Sequence, residues 1–203
     1  MKGDFFVTNV LQWRNDNYYT FPWRETANLW HALVAEVMLQ RTRAEQVVPV
    51  FCEFCLKYES PSDYVQEKNC KMFERLGLKW RAHKLNKLAE ITAEKGIPVE
   101  KEELIELPGV GEYIASAFRS LHLGKYDVII DSNVVRLYGR YYGFQTDGET
   151  RRKRWFKELA SCITPEKEFR DYNYGLIDFT RTVCKPKPVC SACPLTEYCE
   201  GKY

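Results

Sequence analysis

Apolar residues recur at helical spacing along almost the whole chain. Trp30, Leu33, Val34, Val37 and Met38 fall at i, i+3, i+4, i+7 and i+8, one stripe of an amphipathic helix. The pattern returns in VVPVFCEFCLKY, and again over residues 83–94 (HKLNKLAEITAE), where Gly96 and Pro98 stop it. Ile114, Ala117, Phe118 and Leu121 share a face that ends at Gly124, and Val134, Leu137, Tyr138 and Tyr141 share another. Two further helical stretches cover 151–161 and 168–183. Only YDVII reads as a strand, and it is short. This periodicity predicts an all-α fold. With 203 residues, 45% of them apolar, the chain can bury one large core or two small ones.

Several classes of protein are excluded at this point. There is no apolar run of about 18 residues, so no membrane span is expected. The start, MKGDFFVTNVLQW, lacks the apolar centre of a secretory signal. A cytoplasmic protein is expected, associated with the nucleoid if the source is prokaryotic. The net charge of +2 selects no partner. The basic run Arg151, Arg152, Lys153 and Arg154 suits a solvated helix face as well as a nucleic-acid contact.

Eight cysteines are present, and their distribution is uneven. Cys52 and Cys55 form a lone CxxC inside a helical pattern, where two small apolar side chains are the simpler reading. Cys184, Cys190, Cys193 and Cys199 instead crowd the C-terminal region, with five, two and five residues between them. In a reducing compartment such a group points to a metal site, not disulfides. Zinc and an iron–sulfur cluster both take four thiolates. A single CxxC, where structural zinc sites often have two, leans toward the cluster.

LPGVGEYIASAF, residues 107–118, joins two short helical patterns through a proline and two glycines. Glycines let the backbone approach a ligand, and the following helix start offers N–H groups and positive potential, a combination suited to a phosphate.

Taken together, LPGVGEYIASAF, the later IIDSNVVR and the terminal four cysteines resemble the helix–hairpin–helix DNA glycosylases of the endonuclease III and MutY class. FPWRETANLWHALVAEVMLQRT, LGLKWRAHKLNKLA and DYNYGLIDFTRTVC extend the resemblance in collinear order over nearly the whole chain, with the strongest likeness to MIG-type G:T mismatch glycosylases. The resemblance implies a two-domain, all-α, helix–hairpin–helix fold: a helical domain over 24–131, and a cluster domain of 1–23 and 132–203, with DNA in the cleft between them. It implies a monomer acting on double-stranded DNA with a mismatched or damaged base. It also implies a [4Fe–4S] cluster on Cys184, Cys190, Cys193 and Cys199, although the first cysteine gap is one residue shorter than the family's. Lys185 and Lys187, in that gap, are expected to face the DNA backbone.

The resemblance also assigns site residues. Asp131 takes the family's catalytic aspartate position; read alone, it is a helix N-cap. Asn133 matches the family's D-x-N and would hydrogen-bond that carboxylate. Glu36 lies about 60° from Leu33 around its helix, at the edge of the apolar stripe, where the family's glutamate engages the flipped base. Tyr113 stands where strand-cleaving relatives have lysine. A phenol forms no Schiff base, so a monofunctional enzyme without lyase activity is expected. Gly109, Val110 and Gly111 match the phosphate-binding hairpin. Gln40, Arg41 and Leu78 match the residues that fill the hole left by the extruded nucleotide.

Two substrates stay open. Arg41, Leu78, the GLIDF run and the short tail favour thymine or uracil opposite guanine. Gln40, Glu36 and the EVMLQ wording suit adenine opposite 8-oxoguanine, but the C-terminal domain usual in that class is not expected here. A non-catalytic DNA-binding module is the third reading, disfavoured by the joint presence of Glu36, Tyr113 and Asp131.

Overall fold

The structure is a computed structural model that describes residues 2–67, 70–77 and 79–201. It is all-α: no strand occurs among the described residues. No helix among them is long and apolar enough to cross a membrane. The chain divides into two compact units, one of Thr20–Leu123 and one of Met1–Tyr19 with Gly124–Tyr203.

The Thr20–Leu123 unit holds α2 (Pro22–Glu25), α3 (Leu29–Leu39), α4 (Ala44–Lys57), α5 (Pro61–Glu67), α6 (Cys70–Glu74), α7 (Lys79–Lys95), α8 (Lys101–Glu106) and α9 (Glu112–Ala117). The apolar stripe of α3 sinks completely: Leu33, Val34 and Val37 pack with Phe51 and Phe54 of α4, Leu85 of α7 and Ile114 of α9. Each such side chain contributes roughly 1.5–3 kcal/mol on burial. The helix is so enclosed that Glu36 is buried with the apolar residues. Cys52 and Cys55 lie on α4, and burial first, then the neighbouring Cys52, pushes the Cys55 thiol up to about 11. That makes it a poor nucleophile, in line with the apolar reading of the pair.

At its C-terminal end α9 does not stop but widens into a π turn, Phe118–His122, closed by Leu123 N donating to Phe118 O at 3.1 Å. Gly96 and Gly124, placed as helix stops by their sequence context, both adopt left-handed backbone angles.

The other unit is built on α1 (Lys2–Asp16), α10 (Ser132–Tyr142), α11 (Arg154–Ile163) and α12 (Phe169–Thr182). Its core is aromatic, with Phe6, Tyr138, Tyr141, Phe156, Tyr172 and Phe179 almost wholly buried. Two of these phenols satisfy each other, Tyr138 Oη and Tyr172 Oη lying 2.8 Å apart. YDVII forms no ladder. Ile129 is buried and its neighbours Val128 and Ile130 pack partly against the same core, so its β-branched character serves packing. The basic run is neutralised locally: Arg152 pairs with Glu149, Lys153 with Asp147 and Arg154 with Glu158. The Lys153 hydrogen bond leads the causes that hold Asp147 down at about 2. A solvated face describes it.

Helix α3 is started by Asn28, whose side chain accepts from Trp30 N (2.9 Å) and His31 N (3.2 Å) while its amide donates to Glu59 O. Asn28→Ala should lower unfolding free energy by about 1–2 kcal/mol, measured by urea denaturation, and Asn28→Asp should recover most of the cap.

Candidate functional site

The expected site residues fall in both units. In the Thr20–Leu123 unit, the hairpin is α8, the loop Leu107–Gly111 and α9. Gly109 has φ +90, a left-handed angle that an L side chain adopts only with strain. Val110 is buried and its N–H donates to Leu107 O at 3.0 Å, so it anchors the loop from beneath while Gly111 stays exposed. A Cβ placed on Gly111 would meet nothing within 4 Å, so the space in front of it is open to a ligand. Gln40, the C-cap of α3, donates from Nε2 to Gly109 O at 3.0 Å. That bond ties the end of the Glu36 helix to the hairpin. Arg41 follows, exposed, with φ +54. Tyr113 is half-buried against the core at the start of α9. Leu78 lies outside the described residues.

Glu36 is not a solvated charge. Its side chain is 5% exposed, and its Oε1 lies 3.1 Å from Nε2 of His122, itself 2% exposed. His122, flanked by leucines near the end of an apolar stripe, has no sequence signal beyond its identity.

In the other unit, Asp131 is the N-cap of α10. Its Oδ1 accepts from Asn133 N (2.8 Å) and Val134 N (2.7 Å), and its Oδ2 from Asn133 Nδ2 (2.6 Å). The cap and the Asn133 contact are therefore one arrangement: three donors hold the carboxylate in a single orientation. The network continues. Arg136 Nη1 donates to Asn133 Oδ1 at 2.8 Å, and Arg136 Nε and Nη2 donate to Cys184 O at 3.1 and 2.9 Å. Arg140 grips the next carbonyls, Lys185 O at 2.8 Å and Pro186 O at 2.9 Å. The two arginines leave the Lys185 and Lys187 side chains exposed on a pinned loop. Neither arginine was legible as functional in the sequence. Both sit at helical spacing on the polar side of α10, indistinguishable there from solvated charge.

Cys184, Cys190, Cys193 and Cys199 line one cavity of about 220 Å³, with Leu137, Tyr141, Val183 and Leu195 as apolar walls. Arg140 Nη1 lies 3.6 Å from the Cys184 sulfur. Among the described residues, no three His, Cys, Asp or Glu side chains converge as the ligands of a single metal ion do. Four thiol donors around one apolar cavity, with a cation beside one sulfur, form a donor set that zinc or an iron–sulfur cluster takes.

No family model matches the chain. Individual proteins do. It is 32% identical to the thymine/uracil-DNA glycosylase of Methanothermobacter thermautotrophicus, over 98% of this chain and 93% of that protein. With the thymine-DNA glycosylase of Aeropyrum pernix the identity is 37%, over 88% and 85%. An adenine DNA glycosylase of Buchnera aphidicola is 32% identical over 97% of this chain but only 58% of its own length. Among solved structures, a thermostable thymine-DNA glycosylase superposes with a TM-score of 0.91 at 32% identity, covering 98% of this chain and 96% of the other. An endonuclease III in a non-covalent DNA complex gives 0.85 at 25% identity, over 99% and 96%. This fold, with its glycine hairpin, is that of the helix–hairpin–helix DNA glycosylases, and the chain belongs to that superfamily. Its likeness to the thymine/uracil-DNA glycosylases runs through nearly the full length of both partners.

Asparagine caps helices as well as aspartate. Asp131→Asn should therefore unfold within about 0.5 kcal/mol of wild type, whereas Asp131→Ala should lose ~1 kcal/mol or more, both read from chemical denaturation.

Proposed function

We propose that this protein is a monofunctional DNA glycosylase of base excision repair that hydrolyses the N-glycosidic bond of thymine or uracil opposite guanine, acting as a monomer on double-stranded DNA. The observation that carries the reading is 32–37% identity, over 88–98% of the chain, to proteins named thymine/uracil- or thymine-DNA glycosylases. The 32% identity to adenine DNA glycosylases supports the second reading, release of adenine opposite 8-oxoguanine.

The reaction breaks the bond from the base nitrogen to C1′, and the electron pair leaves with the base. Positive charge grows on the sugar, water then forms the new C–O bond and gives up one proton, and the departed base gains a proton in its place. Asp131 is the group assigned to stabilise that charge. A carboxylate already oriented by three donors needs little reorganisation as the charge develops. Glu36 engages the base. Tyr113 offers a phenol where a lyase needs an amine, so the product is an intact abasic strand. Gly109, Val110 and Gly111 are assigned to one phosphate, Lys185 and Lys187 to others. Gln40, Arg41 and Leu78 are assigned to the hole left by the extruded base. Cys184, Cys190, Cys193 and Cys199 would hold a [4Fe–4S] cluster, whose part here is to brace the lysine-bearing loop. The four-thiol cavity supports that ligand set.

Duplexes bearing G:T, G:U, A:8-oxoguanine and A:G, treated with and without alkali, test the reading. Release from G:T and G:U with breaks only after alkali is expected. Asp131→Asn should abolish release while retaining DNA affinity. Strand breaks without alkali would sink the monofunctional assignment, and release from A:8-oxoguanine alone would favour the adenine reading. Gly111→Ala should keep wild-type stability but bind DNA about tenfold more weakly, because its methyl group would meet only the phosphate. Gly109→Ala should cost ~1–2 kcal/mol in stability. The purified protein should absorb in the visible and carry about four irons per chain; a colourless protein with stoichiometric zinc would refute the cluster.

A further inference from the structure

The pair formed by His122 and Glu36 is a deeply buried ionisable contact of the Thr20–Leu123 unit, with side chains 2% and 5% exposed. Burying two such groups is costly even when they meet. A well-packed apolar pair would serve stability as well or better. The backbone that brings them together is also irregular. His122 ends the π turn Phe118–His122, and π turns inside helices interrupt the i→i+4 ladder and cluster at functional sites. Phe118, one turn earlier, sets its ring 6.0 Å from the imidazole, and α3 presents Glu36 from among fully buried neighbours. Only Oε1 of Glu36 is engaged by this pairing. Among the described residues no hydrogen bond reaches Oε2.

We propose that His122 is a positioning residue that determines base specificity: its Nε2–H donates to Oε1 of Glu36 and so fixes Glu36 as a hydrogen-bond acceptor toward the base. The proposal rests on the thymine/uracil reading and deepens it. Thymine and uracil present an imide N–H between two carbonyls, a donor that an acceptor oxygen complements. Adenine presents an exocyclic amine donor, but beside it on either edge stands a ring nitrogen, N1 or N7, that needs a donor. An acceptor-only carboxylate supplies none. A site built around one hydrogen-bond pattern rejects the base that leaves its polar groups unpaired.

His122→Gln retains an N–H donor at similar reach, and His122→Met fills the volume without one. Single-turnover release should be measured on G:T and G:U duplexes, with melting temperature and affinity for abasic-site duplex as controls. His122→Gln should stay within about threefold of wild type, and His122→Met should slow release ~10- to 100-fold, the expected loss for one hydrogen bond to a charged group. Abasic-site affinity should not change, since no base is present. Glu36→Gln gives an independent reading should His122→Met fold poorly. With His122 donating to the amide oxygen of that variant, its NH₂ group would face the imide N–H, donor against donor, and release should fall at least as far. Equal rates for His122→Met and wild type would overturn the proposal, as would Glu36→Gln retaining wild-type release. Adenine release alone by wild type would overturn the thymine/uracil reading and the acceptor assignment together. Pyrimidine release unaffected by His122→Met would overturn only the role of His122.

Discussion

The Asp131 carboxylate satisfies two backbone N–H groups that the start of α10 would otherwise leave unpaired, and α10 carries most of what the 124–203 segment needs. One side of that helix supplies Val134, Leu137, Tyr138 and Tyr141 to the aromatic core. The other side supplies Arg136 and Arg140, whose guanidinium groups hold the carbonyls of Cys184, Lys185 and Pro186. Cap, core and cysteine loop are thus ordered by one element of eleven residues. Burial lowers the hold of Arg136 on its proton, opposed by the nearby Cys184 and Asp131. A guanidinium tolerates this because it starts so far above neutrality.

A comparable economy holds in the Thr20–Leu123 unit. Its core is conventional helix packing, and three of its departures from regularity stand out beyond the left-handed glycines at helix ends: a left-handed glycine in the hairpin, a π turn after α9 and a left-handed arginine after α3. Each of these three lies beside a residue with a functional assignment. The α3 helix connects them, since its Gln40 cap binds the hairpin carbonyl and its Glu36 binds the imidazole at the end of the π turn.

Much of this was legible in the sequence because helices announce themselves through apolar period, caps and glycine stops. The stripe from Trp30 to Met38 gave α3, and D-x-N gave both the cap and the Asn133 contact. Side-chain partnerships between distant segments were not legible. Glu36 read as an edge residue; the enclosure of the whole of α3 buries it, and its partner His122, at the end of the π turn, lies 86 residues away. Arg136 and Arg140 carry no sequence signal because their partners are backbone carbonyls more than forty residues away, and carbonyls carry no residue identity. YDVII read as a strand because β-branched residues suit any tightly packed extended segment, with or without a ladder.

Arg41 has a φ of +54, the one positive value outside glycine among the described residues. A bulky side chain in that conformation costs on the order of 1–2 kcal/mol. Glycine would relieve it, and the exposed position would not object. A chain evolved or designed for folding alone would therefore drift to glycine at this turn. Laboratory stabilisation campaigns will find the same substitution attractive, and they would be erasing the one side chain there whose presence the backbone gives no reason to keep.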